Sequence, residues 1–193
     1  MPARPLNVQS VPYSGRVDRD QDEPRWLGPE ELAAWMSYVA ATTLLDSALD
    51  RQLQREAGMP LAYYQILAML ADVPERTLRM SDLAAITQSS QSRLSHAVTR
   101  LERRGWILRR PCSEDRRSTW ATLTDTGYAA LAAAAPGHVA AVREHLFDRL
   151  SCEQVRQLQA ICRTVLAGMA DGPGRAAAGA GTGAQPVQLT SPS

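Results

Sequence analysis

Apolar positions recur at steps of three and four along most of the chain and alternate over only two short stretches, a pattern that predicts helices and one small hairpin. In PEELAAWMSYVAATTLLDSALDRQLQREAG, Leu32, Trp35, Met36 and Val39 are followed by Leu45, Leu49 and Leu53, with acids beside a proline at the start and Gly58 at the end. This spacing predicts a long amphipathic helix. A second helix, LAYYQILAMLAD, follows Pro60, and a short third, DLAAIT, begins after Ser81, whose hydroxyl can cap it. Between them RTLRM has room for one brief strand. A fourth helix opens in TQSSQSRLSHAVTRLERRG, with Ser89 or Ser90 as N-cap, Gly105 as the stop, and Leu94, Ala97, Val98 and Leu101 facing inward.

WILRR (Trp106 to Arg110) and TWATLT (Thr119 to Thr124) are short and β-prone, and read as two arms of a hairpin with a charged tip from Pro111 to Ser118. Thr124 is placed to cap the next helix. Its stripe is Tyr128, Leu131, Ala135, Val139, Val142, Leu146 and Leu150, and Pro136-Gly137 should bend it. Ser151-Cys-Glu-Gln154 has the form of a capping box and opens a last helix with Val155, Leu158, Cys162, Val165 and Met169 inward. The ends, 1–26 and 171–193, lack an apolar period and read as loose tails.

The composition changes this picture in one respect. The 193-residue chain has a formal net charge of only +1, and all 21 of its basic residues are arginine, yet the charge is clumped. Between Thr99 and Arg117 stand Arg100, Arg103, Arg104, Arg109, Arg110, Arg116 and Arg117 against Glu102, Glu114 and Asp115. Such a clump creates a local field that the total does not report. No run of eighteen apolar residues and no secretory signal occurs, so a cytoplasmic location is expected. Cys112, Cys152 and Cys162 are too few and too scattered for a disulfide framework or a zinc ribbon, and are expected to be reduced thiols.

Helix, helix, short turn, helix and hairpin is the order of a winged helix-turn-helix, in which the fourth helix is the reader. With Leu94, Val98 and Leu101 turned inward, Ser92, Ser95, His96, Thr99 and Arg103 fall on the opposite side, flanked by Arg93 and Arg100. Short donors and acceptors lie near the N-terminus, Ser90 and Gln91 among them, and long cations further along. That gradient suits first turns that enter a major groove while arginines reach guanine or the flanking phosphates. At the hairpin tip, Asp115 can fix the direction of the guanidinium of Arg116 or Arg117, and a fixed guanidinium can enter a narrow minor groove.

The wing sequence Asp115, Arg117, Ala121, Leu123, Thr124 and Gly127, with LRMSDLAAIT and SSQSRLSHAVTRLERRGWILR upstream, resembles the MarR (multiple antibiotic resistance regulator) family of transcription factors over roughly Leu27 to Met169. The resemblance implies a mainly α fold with a small β-hairpin wing: a winged helix-turn-helix domain plus a helical dimerisation domain. It implies a dimerisation helix over 27–58, a DNA-binding domain over 59–124 and C-terminal dimerisation helices over 125–170. It also implies a homodimer on a pseudo-palindromic double-stranded operator, a repressor responsive to a ligand, with Arg117 as the wing-tip arginine, Asp115 its positioning partner and Ser90 to His96 supplying major-groove contacts. The motif assigns no role to Arg116. Members of the family sense small aromatic ligands, metals or oxidants. Here Trp35, Tyr38, Tyr63 and Tyr64 are candidates to line an apolar effector pocket, although aromatics at helical spacing are more often core.

Other chemistry finds little support. His138 and His145, with Glu144 and Asp148, lack a second cluster and read as ordinary surface or packed residues, so neither a metal nor a cofactor is expected. Cys112 among arginines reads as a solvent-exposed bystander, and the first helix carries no cysteine for a thiol switch. No nucleophile-base pair, phosphate loop or HExxH is present, so an enzyme is not expected. The remaining rival is a winged helix used only for protein association.

Overall fold

The computed structural model describes residues 25–112 and 118–170. It contains helices α1 (Pro29–Ala57), α2 (Leu61–Ala71), α3 (Met80–Ile86), α4 (Gln91–Arg103), α5 (Asp125–His145) and α6 (Cys152–Ala170), and strands β1 (Thr77–Arg79), β2 (Ile107–Pro111) and β3 (Thr119–Leu123). The chain divides into two units, residues 1–38 and 39–193. In the first, the Gly28 N–H donates to Glu31 Oε2 at 2.7 Å and opens α1 with acids in its first turn, where they complement the helix dipole. Trp35 and Tyr38 stand exposed further along, their ring centroids 6.2 Å apart.

The core of the second unit takes Leu53, Leu94, Val98 and Leu101 from the stripes read in the sequence and adds apolar side chains of α2, α3 and β2 for which no inward face was read. Leu53 from α1, Leu67 and Leu70 from α2, Leu83 from α3, Leu94, Val98 and Leu101 from α4, and Ile107 from β2 are almost wholly excluded from solvent. At roughly 2–5 kcal/mol for truncating such a leucine to alanine, this cluster holds the unit together. The strands form one antiparallel sheet in the order β1-β3-β2, with Arg109 opposite Ala121 and Arg79 opposite Trp120. The expected hairpin is therefore two-thirds of a larger sheet. β1 closes its other edge, and the Thr77 hydroxyl donates to Thr122 Oγ1 at 2.9 Å.

Local chemistry sets most of the boundaries. Ser90 Oγ accepts from the Arg93 N–H at 3.3 Å and starts α4, and Thr124 Oγ1 accepts from the Gly127 N–H at 3.0 Å and starts α5. The Ser151 N–H donates to Gln154 Oε1 at 2.9 Å while the Gln154 N–H donates to Ser151 Oγ at 3.2 Å, the reciprocal box at the head of α6. α4 ends in a Schellman motif: Gly105 takes φ +72°, its N–H donates to the Glu102 carbonyl at 2.9 Å, and the Trp106 N–H donates to the Leu101 carbonyl at 3.0 Å. Gly127 is required for a different reason. A Cβ there would collide with the Trp106 carbonyl oxygen and stand 2.8 Å from Leu123 Cδ1, because α5 begins pressed against the sheet.

Three expectations are corrected. Ser81 does not cap α3; the helix begins two residues earlier than expected, at Met80, with Arg79 at the cap position and no side-chain bond, and the Ser81 hydroxyl donates to Asp82 Oδ1 instead. α5 does not carry its stripe to Leu150, since it ends at His145 and a 3-10 turn, Phe147–Arg149, follows. Cys112 is buried rather than exposed, because the chain pairs onward from β2, with the Cys112 N–H donating to the Ser118 carbonyl at 2.9 Å, and the side chain turns inward. Pro136 lies inside α5, which continues through it.

The terminal helices keep much apolar surface uncovered. Leu44 on α1 and Ile161, Val165, Leu166 and Met169 on α6 are all half or more exposed. An eighteen-residue window of α1 reaches a mean hydropathy of 1.2, which by length and composition alone would suffice to cross a membrane. Ser37, Thr42, Thr43 and Asp46 interrupt that stretch.

Candidate nucleic-acid interface

The reader helix presents the face its sequence predicts. With Leu94, Val98 and Leu101 buried, Gln91, Ser92, Arg93, Ser95, His96, Arg100 and Arg103 are all exposed, and the cap residue Ser90 is exposed with them. Thr99 departs from this: it is half-buried, and its hydroxyl donates back to the Ser95 carbonyl at 2.8 Å, which leaves only its acceptor side available. Asp115, Arg116 and Arg117 lie outside the described residues.

The arginine clump is not uniform. Arg109 on β2 donates to Glu102 on α4 through Nε at 2.9 Å and Nη2 at 2.6 Å, and its backbone N–H approaches Glu102 Oε1 at 3.4 Å. The guanidinium hydrogen bond holds the Glu102 carboxyl below the usual carboxylate range, with the burial of the pair opposing it. Arg109 is thus a strut between the reader helix and the first strand of the wing. Arg104 is also engaged: its Nη1 donates to the Gly58 carbonyl at 3.1 Å, and its guanidinium lies 4.9 Å from the Trp106 ring centroid.

Between the first turns of α4 and the base of the wing lies a polar cleft of about 250 Å³, bordered by Gln91 and Ser95 of the reader and by Arg79, Ser81 and Thr119. Arg79 was not singled out in the sequence and Ser81 was read only as a helix cap, because β1, which leads into α3, reaches the wing only through its non-local pairing with β3. The turn into the reader adds another residue. Gln88 takes φ +52°, where side chains are disfavoured, while its N–H donates to the Ala85 carbonyl at 3.3 Å and the Ser89 N–H to the Ala84 carbonyl at 3.0 Å. A glycine would occupy that seat at lower cost, and the glutamine that holds it is solvent-exposed.

The four aromatic residues considered for an effector are divided. Trp35 and Tyr38 are exposed in the first unit, whereas Tyr63 and Tyr64 are buried in the second. The Tyr64 hydroxyl is buried without a partner among the described residues, and burial pushes its pKa up. His138 packs on Tyr64, while His145 is exposed, and among the described residues no three metal-ligating side chains converge.

Comparison with known proteins agrees with this geometry. The MarR family model matches residues 57–118, from the end of α1 to the start of β3. Sco3205, a MarR family transcriptional regulator from Streptomyces coelicolor crystallised in complex with DNA, is 54% identical over 77% of this chain and 92% of its own, with a TM-score of 0.72. AbsC, a MarR family transcriptional regulator from the same organism, is 36% identical over 76% of this chain and 98% of its own, with a TM-score of 0.70. The transcriptional repressor MprA of Escherichia coli K12 is 27% identical over 151 residues, 78% of this chain and 82% of that protein. With a winged helix-turn-helix, an outward reader face and relatives this similar over nearly their whole length, the chain belongs to the MarR family of transcriptional regulators.

Proposed function

We propose that two copies of this chain bind a pseudo-palindromic operator, each placing the first turns of α4 in a major groove and the arginine-bearing tip of its wing in the adjacent minor groove. The observation that carries this reading is the exposure of Ser92, Ser95 and His96 on one face of α4, beside a wing strutted to that helix by Glu102 and Arg109. The Sco3205 complex supports the same use of the fold. Ser90, Gln91, Ser92, Ser95 and His96 read bases; Arg93, Arg100 and Arg103 take phosphates or guanine edges; Arg117, directed by Asp115, enters the minor groove. The uncovered apolar surfaces of α1 and α6 pack between protomers, and Trp35, Tyr38, Tyr63 and Tyr64 remain the candidates for an effector that weakens binding. The protein then acts in the cytoplasm as a repressor without a catalytic step.

A two-fold dimer dictates half-sites about one helical turn, ~34–36 Å, apart. The test is a titration of DNA from upstream of the protein's own gene against random DNA at several salt concentrations. The operator should be retained at physiological salt with a preference of at least about 10³ over random sequence. Arg117→Ala should lower affinity and reduce the salt slope by about one unit per protomer. Equal affinity for both DNAs would favour a protein-association module, and an unchanged slope would remove the wing tip from the interface.

A further inference from the structure

At the far end of the reader helix lies a second, open cleft of about 480 Å³, walled by Gln54 and Gly58 at the close of α1, by Pro60 and Tyr63 at the start of α2, and by Arg100, Arg103 and Arg104 on the last turn of α4 and its cap. We propose that this cleft binds a small polyanion, a ligand carrying two or more negative charges on phosphate or carboxylate oxygens. Guanidinium groups recognise both chemistries through the same forked hydrogen bonds.

Three observations point there. Three arginines border the cleft, and among the described residues no carboxylate does. Asp50, the acid bonded to its edge, has both oxygens engaged, Oδ1 by the Leu61 N–H at 2.8 Å and Oδ2 by Gln54 Nε2 at 2.7 Å. Among the described residues some arginines are held in ion pairs, as are Arg55 with Glu56, Arg76 with Asp125, Arg109 with Glu102, Arg143 with Asp148 and Arg156 with Glu153. Arg100 and Arg103 have no acidic partner among the described residues, and Arg104 is pre-aimed by its bond to the Gly58 carbonyl and its place above Trp106 and Tyr63.

Cations at a helix C-terminus complement the dipole. That effect accounts for basic residues on the last turn, but not for their convergence on a hollow walled by two other helices. Arg103 lies eleven residues beyond Ser92, about 16 Å along the helix axis, whereas a major groove is about 12 Å wide. With the first turns in the groove, the cleft lies at its rim, where the phosphates run, but a concave wall suits a small ligand better than a convex duplex. Because Arg100 and Arg103 are also the residues assigned to phosphates in the proposed operator complex, occupancy would compete with DNA. That consequence, unlike the binding itself, rests on the operator reading.

The experiment is calorimetric titration of the full chain without DNA, using pyrophosphate and citrate as probes at an ionic strength held constant with sodium chloride. One site per protomer with a submillimolar dissociation constant is expected for at least one probe, and the preferred probe separates phosphate from carboxylate chemistry. Arg103→Gln should weaken that binding about tenfold or more, whereas Arg143→Gln, the same charge change on α5, should leave it intact. Equal weakening by both variants, or no measurable binding, would overturn the site. So would a lack of anion binding together with an Arg103→Gln effect on the salt slope of DNA binding, which would assign the cleft to the duplex backbone. The probe that binds should release the operator from the unsubstituted protein. If the chain bound no operator at all, the DNA-free titration would still decide the site.

Discussion

His138 packs on the Tyr64 ring with centroids 4.2 Å apart, and its Nδ1 is buried without a partner among the described residues. Burial disfavours the imidazolium and lowers the pKa. The unfolded chain therefore takes up a proton near pH 6.5 while the folded chain resists, so this contribution to stability is complete above about pH 6.5 and is lost as pH falls through the lowered folded value. Melting temperature should fall between pH 7 and pH 5, and His138→Phe, which keeps the ring contact and removes the stranded nitrogen, should flatten that slope. An unchanged slope would place the titration elsewhere. Glu56 and Glu102, held low by Gln52 and Arg109 respectively, act in a more acidic window, below their ordinary carboxylate range. Gly127 makes a sharper demand. Alanine there must displace the Trp106 carbonyl or Leu123, which costs about 1–3 kcal/mol by overpacking and should appear as a lower denaturant midpoint with an unchanged slope. The Leu-Thr-x-x-Gly spacing was visible in the sequence, but its reason was not, since the carbonyl that forbids a side chain comes from a residue twenty-one positions earlier.

At the scale of elements, what could be read in the sequence was what is local. Ser90, Thr124 and the Ser151/Gln154 box cap their helices because a hydroxyl or amide two or three residues from a free N–H meets it at once, and Gly105 ends α4 for an equally short-range reason. What escaped depends on pairing across the chain. Three residues of β1 gain meaning only beside β3, Cys112 turns inward because of the register around Ser118, and Arg109 counts as a strut rather than a free cation once β2 lies along Glu102. The turn between α3 and α4 lies between these cases. Its composition, TQSSQS, announces a turn, but the positive φ falls on Gln88 rather than on a glycine. Gln88→Gly should relieve about 1 kcal/mol of left-handed strain and raise the melting temperature. If the side chain faces the groove, the same change should cost operator specificity while leaving binding to random DNA unaltered. Greater stability with undiminished specificity would make the glutamine a tolerated misfit.

For the whole molecule, the decisive question is what covers the terminal helices. Leu44 on α1 and Ile161, Leu166 and Met169 on α6 are each more than 60% exposed in the single chain, in contrast to the near-complete burial of Leu53, Leu67, Leu70, Leu83, Leu94 and Leu101. Isolated apolar residues on a surface need no explanation, but a row along one helix does. In a two-fold interface each residue is used twice, so a substitution is felt twice. At about 1.5–3 kcal/mol per buried side chain, replacing Ile161 and Leu166 by glutamate on both protomers removes roughly 6–12 kcal/mol. That is comparable to the ~8 kcal/mol of a micromolar dimer. Sedimentation of the unsubstituted chain should give twice its 21.0 kDa, and the double variant should sediment as one copy at micromolar concentration. Its helix content should be largely retained, since neither side chain belongs to the buried core. Operator binding should then fall by about 10²–10⁴, because the second half-site is no longer held at a high effective concentration. A variant that stayed dimeric would show that α6 is not the seam. A variant that dissociated yet held the operator as tightly would show that one reader and one wing suffice, and the palindrome argument would fail with it.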